Sequence, residues 1–220
     1  GRIIRVGEGV AASRIGERVF APLASGTFRE EVRCAAEACI PAPEGDAIQL
    51  SLMMVNGATA AVILEDYAKF ERGDWLIQNA ANSSCGRYLI RLAGLAGVKT
   101  VNVVRRPELV DEIRALGADI VLVDGPDLAQ RVAAATGGAP IKLGIDAVAG
   151  AATQRIAECL APGSTVLSYG SMTNTRCELD FYLMFRNDIR LEGMSFARQF
   201  QKLRQPAEVR ALYAKLADLM

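Results

Sequence analysis

The chain has 220 residues, with 25 basic and 25 acidic side chains and no histidine. Apolar residues make up 51%, enough for one large domain or two small ones, and the even charge balance argues against a general nucleic-acid or membrane-surface binder. Without histidine these residues cannot supply a Ser-His-Asp or Cys-His nucleophile, an HExxH zinc site or a histidine general base.

The first 45 residues read differently from the rest. Short β-prone pieces, Arg2–Val6 and Gly16–Pro22, are punctuated by glycine and proline, which predicts part of a small β-rich domain. Pro41-Ala42-Pro43-Glu44-Gly45 reads as a linker. The uncharged run Ala47–Leu64 is broken by Gln49, Ser51, Asn56, Gly57 and Thr59. It predicts a buried core helix, mostly helical through Phe70, rather than a membrane span. Strand and helix then alternate. Strands are predicted at Asp74–Asn79, Thr100–Val104, Ile120–Val123, Ile141–Ala147, Thr165–Tyr169 and Ile189–Met194. Helices are predicted at Ser84–Ala96, Pro107–Leu116, Asp127–Ala135, Ala151–Leu160, Phe181–Asn187 and Pro206–Met220. Six strands alternating with helices define an α/β class with a doubly wound parallel Rossmann sheet. The domains expected are 1–45 and 46–220. The five cysteines, Cys34, Cys39, Cys85, Cys159 and Cys177, form no CxxC. They support neither a zinc lobe nor a disulfide framework, and an odd, scattered set suits a reducing cytoplasm.

In such a fold, ligands bind beyond the carboxyl ends of the strands. The first strand of the unit runs into Asn79-Ala80-Ala81-Asn82-Ser83-Ser84-Cys85-Gly86. Ala80, Ser83 and Gly86 stand at the spacing of the three glycines of a dinucleotide fingerprint, where small residues let backbone approach a pyrophosphate at a helix N-terminus. Ser83 and Ser84 could cap that helix or bind phosphate. The second strand ends nineteen residues after Gly86 at Arg105-Arg106. Arginine there suits the 2′-phosphate of NADP through charge-assisted bonds, where an NAD site would place a carboxylate, so the expected cofactor is NADPH. Ser168-Tyr169-Gly170-Ser171-Met172 closes another strand with a small-residue turn suited to the nicotinamide half. Tyr169 taken alone reads as a packed aromatic. Met194-Ser195-Phe196 closes the last strand, as cleft lining or as an interface or core patch.

Together these motifs resemble the medium-chain dehydrogenase/reductase superfamily, and within it the zinc-independent 2-enoyl thioester reductases of the mitochondrial and bacterial type. The matching stretches are Gly16–Val19, Gly26–Phe28, Val55–Ala60, Ile77–Ser83, Val101–Arg105 and Ser168–Met172. The resemblance implies a GroES-like β-rich domain, in part, beside the NADP-binding one. It implies roles for Asn56 and Thr59 near the nicotinamide, Asn82 to Gly86 (through Ser83, Ser84 and Cys85) around the pyrophosphate, and Arg105 and Arg106 on the adenosine phosphate. It places Tyr169, Gly170, Ser171 and Met172, with Met194, Ser195 and Phe196, along the cofactor and substrate cleft. Reduction of the 2,3 double bond of an enoyl-CoA or enoyl-ACP is the implied reaction, in a homodimer joined near Ile189–Met194, with no metal, nucleic acid or membrane.

Three features depart from that family. Ser84-Cys85 replaces its usual Gly-Val, Met194-Ser195 replaces bulkier aromatics, and the tyrosine usually assigned to catalysis matches none of Tyr67, Tyr88, Tyr169, Tyr182 or Tyr213. The expectation is a piece of a longer enzyme, lacking a front segment and a returning C-terminal strand, that binds NADPH and turns over poorly by itself. An NADPH:quinone oxidoreductase of the same superfamily and a non-catalytic NADP(H)-binding domain are the alternatives. A zinc alcohol dehydrogenase is disfavoured by the missing histidine, and a methyltransferase by Arg105-Arg106.

Overall fold

The computed structural model describes residues 1–22, 25–198 and 206–218. The chain divides into two compact units, Gly1–Ala58 with Phe200–Met220, and Thr59–Gln199. The sequence suggests a single boundary at residue 45/46.

In the first unit β1 (Val19–Phe20) pairs antiparallel with β2 (Ile40–Pro41). Proline can sit in so short an edge strand because no inner ladder bond is needed from it, so the predicted linker begins inside a strand. Helix α1 (Ala47–Leu52) is capped by Asp46, whose Oδ1 accepts from Ile48 N and Gln49 N at 3.0 Å each. It widens into a π-turn over Met53–Gly57 and continues as α2 (Ala58–Asp66). Residues 47–66 have the length and hydropathy to cross a membrane, and half of the most apolar window is buried inside the protein. The last helix of the chain, α8 (Pro206–Ala217), belongs to the first unit. Its Tyr213 ring lies 5.0 Å from that of Phe20, and its hydroxyl donates to Met54 O at 3.1 Å. This aromatic anchor explains why the C-terminal helix leaves the sheet domain to which its place in the chain would assign it.

The second unit carries six strands: β3 (Trp75–Gln78), β4 (Lys99–Val104), β5 (Ile120–Val123), β6 (Ile141–Asp146), β7 (Thr165–Ser168) and β8 (Arg190–Gly193). All pair in parallel in the order β5-β4-β3-β6-β7-β8. The order reverses between β3 and β6, which creates the crevice where Rossmann folds hold ligands. Helices α3 (Ser84–Ala96), α4 (Val110–Ala115), α5 (Leu128–Thr136), α6 (Ala151–Ala157) and α7 (Phe181–Asn187) connect the strands. One buried cluster joins Ile77, Val101, Val103 and Val166 to Leu128 and Val132 of α5 and Ile156 of α6. A second joins Val104 and Val121 to Ile90 of α3 and Ile113 of α4. Two apolar layers flanking one sheet are what near-continuous runs of Val, Ile and Leu require. Gly144 lets α6 lie directly on β6, since a Cβ there would sit 2.5 Å from Ile156 Cγ2.

Candidate cofactor site

The segments that follow the carboxyl ends of β3, β4, β7 and β8 carry the expected cofactor residues, except Asn56 and Thr59. Asn56 lies on the π-turn of the first unit, where its Nδ2 donates to Leu52 O at 3.2 Å. Thr59 opens the second unit and is buried.

The β3–α3 turn is built by a chain of short contacts. Ala80 takes a left-handed conformation, φ 47°, and Ser83 N donates to its carbonyl at 2.9 Å. Ser83 is the N-cap of α3, its Oγ accepting from Gly86 N at 3.1 Å. That hydroxyl caps the helix as an acceptor, which leaves its O–H able to donate. Gly86 is the residue that the geometry requires, because a Cβ there would lie 2.6 Å from Ala81 O and 2.8 Å from Ala81 Cα. Helix and turn are thus as close as backbone permits, and the first N–H groups of a helix have no intrahelical acceptor. This geometry has the form of a cradle suited to an anion. We expect Gly86→Ala to cost about 1–3 kcal/mol of stability by overpacking. Urea unfolding with and without NADPH measures it, and an unchanged midpoint would contradict the close approach.

Two buried polar networks hold the cradle in place. Gln78, the last residue of β3, donates through Nε2 to Gly86 O at 3.0 Å and to Asn102 Oδ1 at 2.7 Å. Its Oε1 is buried without a partner among the described residues. Asn79 donates to Asp146 Oδ1 at 2.6 Å and accepts from Ala147 N at 2.8 Å. The fully buried Asp146 carboxylate also accepts from Val148 N at 2.9 Å, Ala149 N at 3.1 Å and Thr153 Oγ1 at 2.7 Å. It welds the exit of β3 to the turn after β6. From the sequence, Gln78 and Asn79 are read only within the Ile77–Ser83 stretch and Asp146 only as a strand residue, without these bonding roles. The signal available was polar side chains closing otherwise apolar buried strands.

Tyr169 is packed at the end of β7, as its reading as a packed aromatic expects. Its backbone N–H donates to Asp146 O at 3.0 Å, and its hydroxyl lies near the side chains of Cys85 and Ser83. Burial, reinforced by Cys85, raises its pKa above the ordinary tyrosine value. Burial pushes the Cys85 thiol up to about 12. Both groups are held in their neutral forms near neutrality, and the tyrosine packs between the end of β7 and the start of α3. Gly170 follows, with Ser171 and the exposed Met172 beyond it. Met194 is buried and donates its N–H to Ser168 O at 2.9 Å, Ser195 is exposed and Phe196 half-buried.

At the tip of β4, Arg105 and Arg106 are exposed. Arg106 Nε lies 3.6 Å from Glu108 Oε1, a loose surface contact of small worth that leaves the guanidinium available to an anion. The cradle, the switch in strand order and this cationic tip fit NADPH. Gly86 and Asn82–Cys85 would face the pyrophosphate and Arg105-Arg106 the 2′-phosphate.

This sheet order defines a Rossmann-type α/β domain. The chain belongs to the zinc-binding dehydrogenase family, whose match covers residues 85–214. It is 33% identical over 227 aligned residues to a mouse protein named mitochondrial enoyl-[acyl-carrier-protein] reductase, spanning all of this chain and 61% of that one. In structure it resembles the Etr1p/NADP/crotonyl-CoA complex of the Candida tropicalis 2-enoyl thioester reductase, with TM-score 0.86, 22% identity, and coverage of 98% of this chain and 65% of that one. A Bacillus thuringiensis protein described as an NADPH:quinone reductase matches at TM-score 0.85 and 24% identity, again over 98% and 65%. The family's name invokes zinc, but no group of three or more His, Cys, Asp or Glu is placed to hold a metal among the described residues, so they do not fit one.

The expected cytoplasmic location is corrected by these comparisons, because the mouse, rat, nematode and human relatives are all named mitochondrial. Free thiols indicate a reducing environment and do not distinguish one reducing compartment from another.

Proposed function

We propose that this chain supplies the NADPH-binding part of an enzyme that reduces the 2,3 double bond of enoyl thioesters. The observation that carries the cofactor half is Arg105-Arg106 at the tip of β4, beside an anion cradle that ends on Gly86. The names of the relatives support the substrate class. Bound NADPH would supply the reducing equivalent. The protein's own task is then to fix that cofactor through the α3 N-terminus and the arginine pair, and to shape the cleft with Tyr169–Met172 and Met194–Phe196. No catalytic residue is assigned within these residues.

Steady-state NADPH oxidation by the whole enzyme, with crotonyl-CoA against a simple quinone, tests the reading. A clear preference for crotonyl-CoA is expected, and a preference for the quinone would move the assignment to the quinone reductase class. Cofactor binding without turnover on either substrate would leave a non-catalytic binding domain.

A homodimer is part of the proposal. Strand β8 lies at the sheet edge with all four residues exposed, Leu191 among them. Phe181, Tyr182 and Phe185 of α7 are also exposed. An open edge beside aromatics favours pairing with a second copy. Light scattering is expected to return twice the 23.5 kDa chain mass, and Leu191→Lys to shift it toward monomer. A wild type that stays monomeric contradicts the proposal.

A further inference from the structure

Two cysteines that sequence spacing left apart meet on the surface of the first unit. Cys34 is exposed and Cys39 half-buried, and their sulfurs lie 3.4 Å apart. The chain between them is a 3-10 turn, Ala36–Ala38. It is closed by Ala38 N to Ala35 O at 3.2 Å and Cys39 N to Ala36 O at 3.3 Å, and Arg14 holds it by donating to Ala36 O at 3.0 Å. Cys39 leads directly into β2. The other three thiols sit differently. Cys85 is buried, Cys159 is half-buried with its pKa pushed by burial up to about 12, and Cys177 contacts the Ser168 hydroxyl.

We propose that Cys34 and Cys39 are a reversible modification site, forming an intramolecular disulfide by exchange with a small-molecule disulfide such as oxidised glutathione. Cys34, the exposed thiol, loses its proton to solvent and attacks one sulfur of the small disulfide, expelling one thiolate. Cys39 then loses its proton and attacks the Cys34 sulfur, expelling the second. Two protein thiols are oxidised and one small disulfide is reduced to two thiols. Partial burial, with the neighbouring Cys34, raises the Cys39 thiol above its ordinary value, consistent with Cys39 acting second. Closing the bond draws together two sulfurs already in contact across a formed turn and fixes the entry of β2.

The sequence makes the test direct. Arg33 precedes Cys34 and the next basic residue is Lys69, so trypsin releases both cysteines in one peptide, and Glu37 lies between them. The native protein is equilibrated in glutathione buffers from reduced to oxidised, quenched in acid, alkylated and digested. The expected result is a peptide 34–69 lighter by two hydrogens, whose halves stay joined after cleavage at Glu37 until dithiothreitol separates them. Cys39→Ser is expected to collect at least ~10-fold more glutathione on Cys34 than the wild type, because no adjacent thiol displaces it. Three outcomes would overturn the proposal: lasting glutathione adducts on wild-type Cys34, a bond between separate chains, or both thiols still open to alkylation in fully oxidised buffer.

Discussion

Asp146→Ala is expected to destabilise the chain by about 3–4 kcal/mol, which lowers the thermal midpoint by about 10 °C. The size of the effect follows from the number of donors orphaned at once. Asn79 Nδ2, the N–H groups of Val148 and Ala149, and the Thr153 hydroxyl all converge on one carboxylate with no exposure to solvent. Alanine leaves all of them without that acceptor, those of Asn79, Ala149 and Thr153 buried, and such donors cost more than the bonds they had been contributing. Asp146→Asn keeps one accepting oxygen and is expected to lose less than half as much. The damage should also reach the cofactor, because Asn79 positions the turn that leads to Ser83 and Gly86. Thermal unfolding followed by circular dichroism, with a fluorescence titration of NADPH on each variant, measures both effects. A shift under 2 °C for Asp146→Ala would mean that the network is not holding the two turns together.

The second large effect concerns selectivity. Replacing Arg105 and Arg106 together with alanine is expected to weaken NADPH about 100-fold while changing NADH by less than about 3-fold, since charge-assisted bonds to a phosphate contribute roughly 1.5–3 kcal/mol each. The wild-type preference should shrink as salt rises, because both guanidinium groups are exposed. Fluorescence titrations at low and high ionic strength check both points. Equal losses for the two cofactors would show that the pair stabilises the loop rather than reading the 2′-phosphate.

Much of this architecture was legible because strands buried on both faces leave continuous apolar runs, and helices between them close on Gly97 and Gly137 in left-handed turns. The bounds of α3 and α7 agree with expectation to the residue. The helix predicted from Pro107 opens as a 3-10 turn before α4 begins at Val110. What local pattern could not carry was partnership at long range. Nothing around Tyr213 indicates that its helix joins Phe20 and Met54, and nothing around Tyr169 indicates that its hydroxyl lies near Cys85. Spacing rules for cysteine pairs passed over Cys34 and Cys39 because a 3-10 turn, rather than a two-residue gap, brings them together. At the site, the helix cap at Ser83 and the glycine at 86 were readable from local steric demands. Asp146 was not, since its partners come from three separate segments.

Ala80 and Ala149 both occupy positive φ, at 47° and 68°, where a side chain costs about 1–2 kcal/mol that glycine would avoid. They stand at the turns leaving β3 and β6, the two strands that frame the crevice. A methyl group at such positions restricts the disordered alternatives open to each turn, so less configurational freedom remains to be surrendered when a ligand settles there. The strain is carried permanently by the resting protein, and a ligand in this crevice would meet turns with less freedom left to lose. Ala80→Gly would then relax the backbone while making association more entropically unfavourable, a trade visible in calorimetry as a changed balance of heat and entropy at similar affinity.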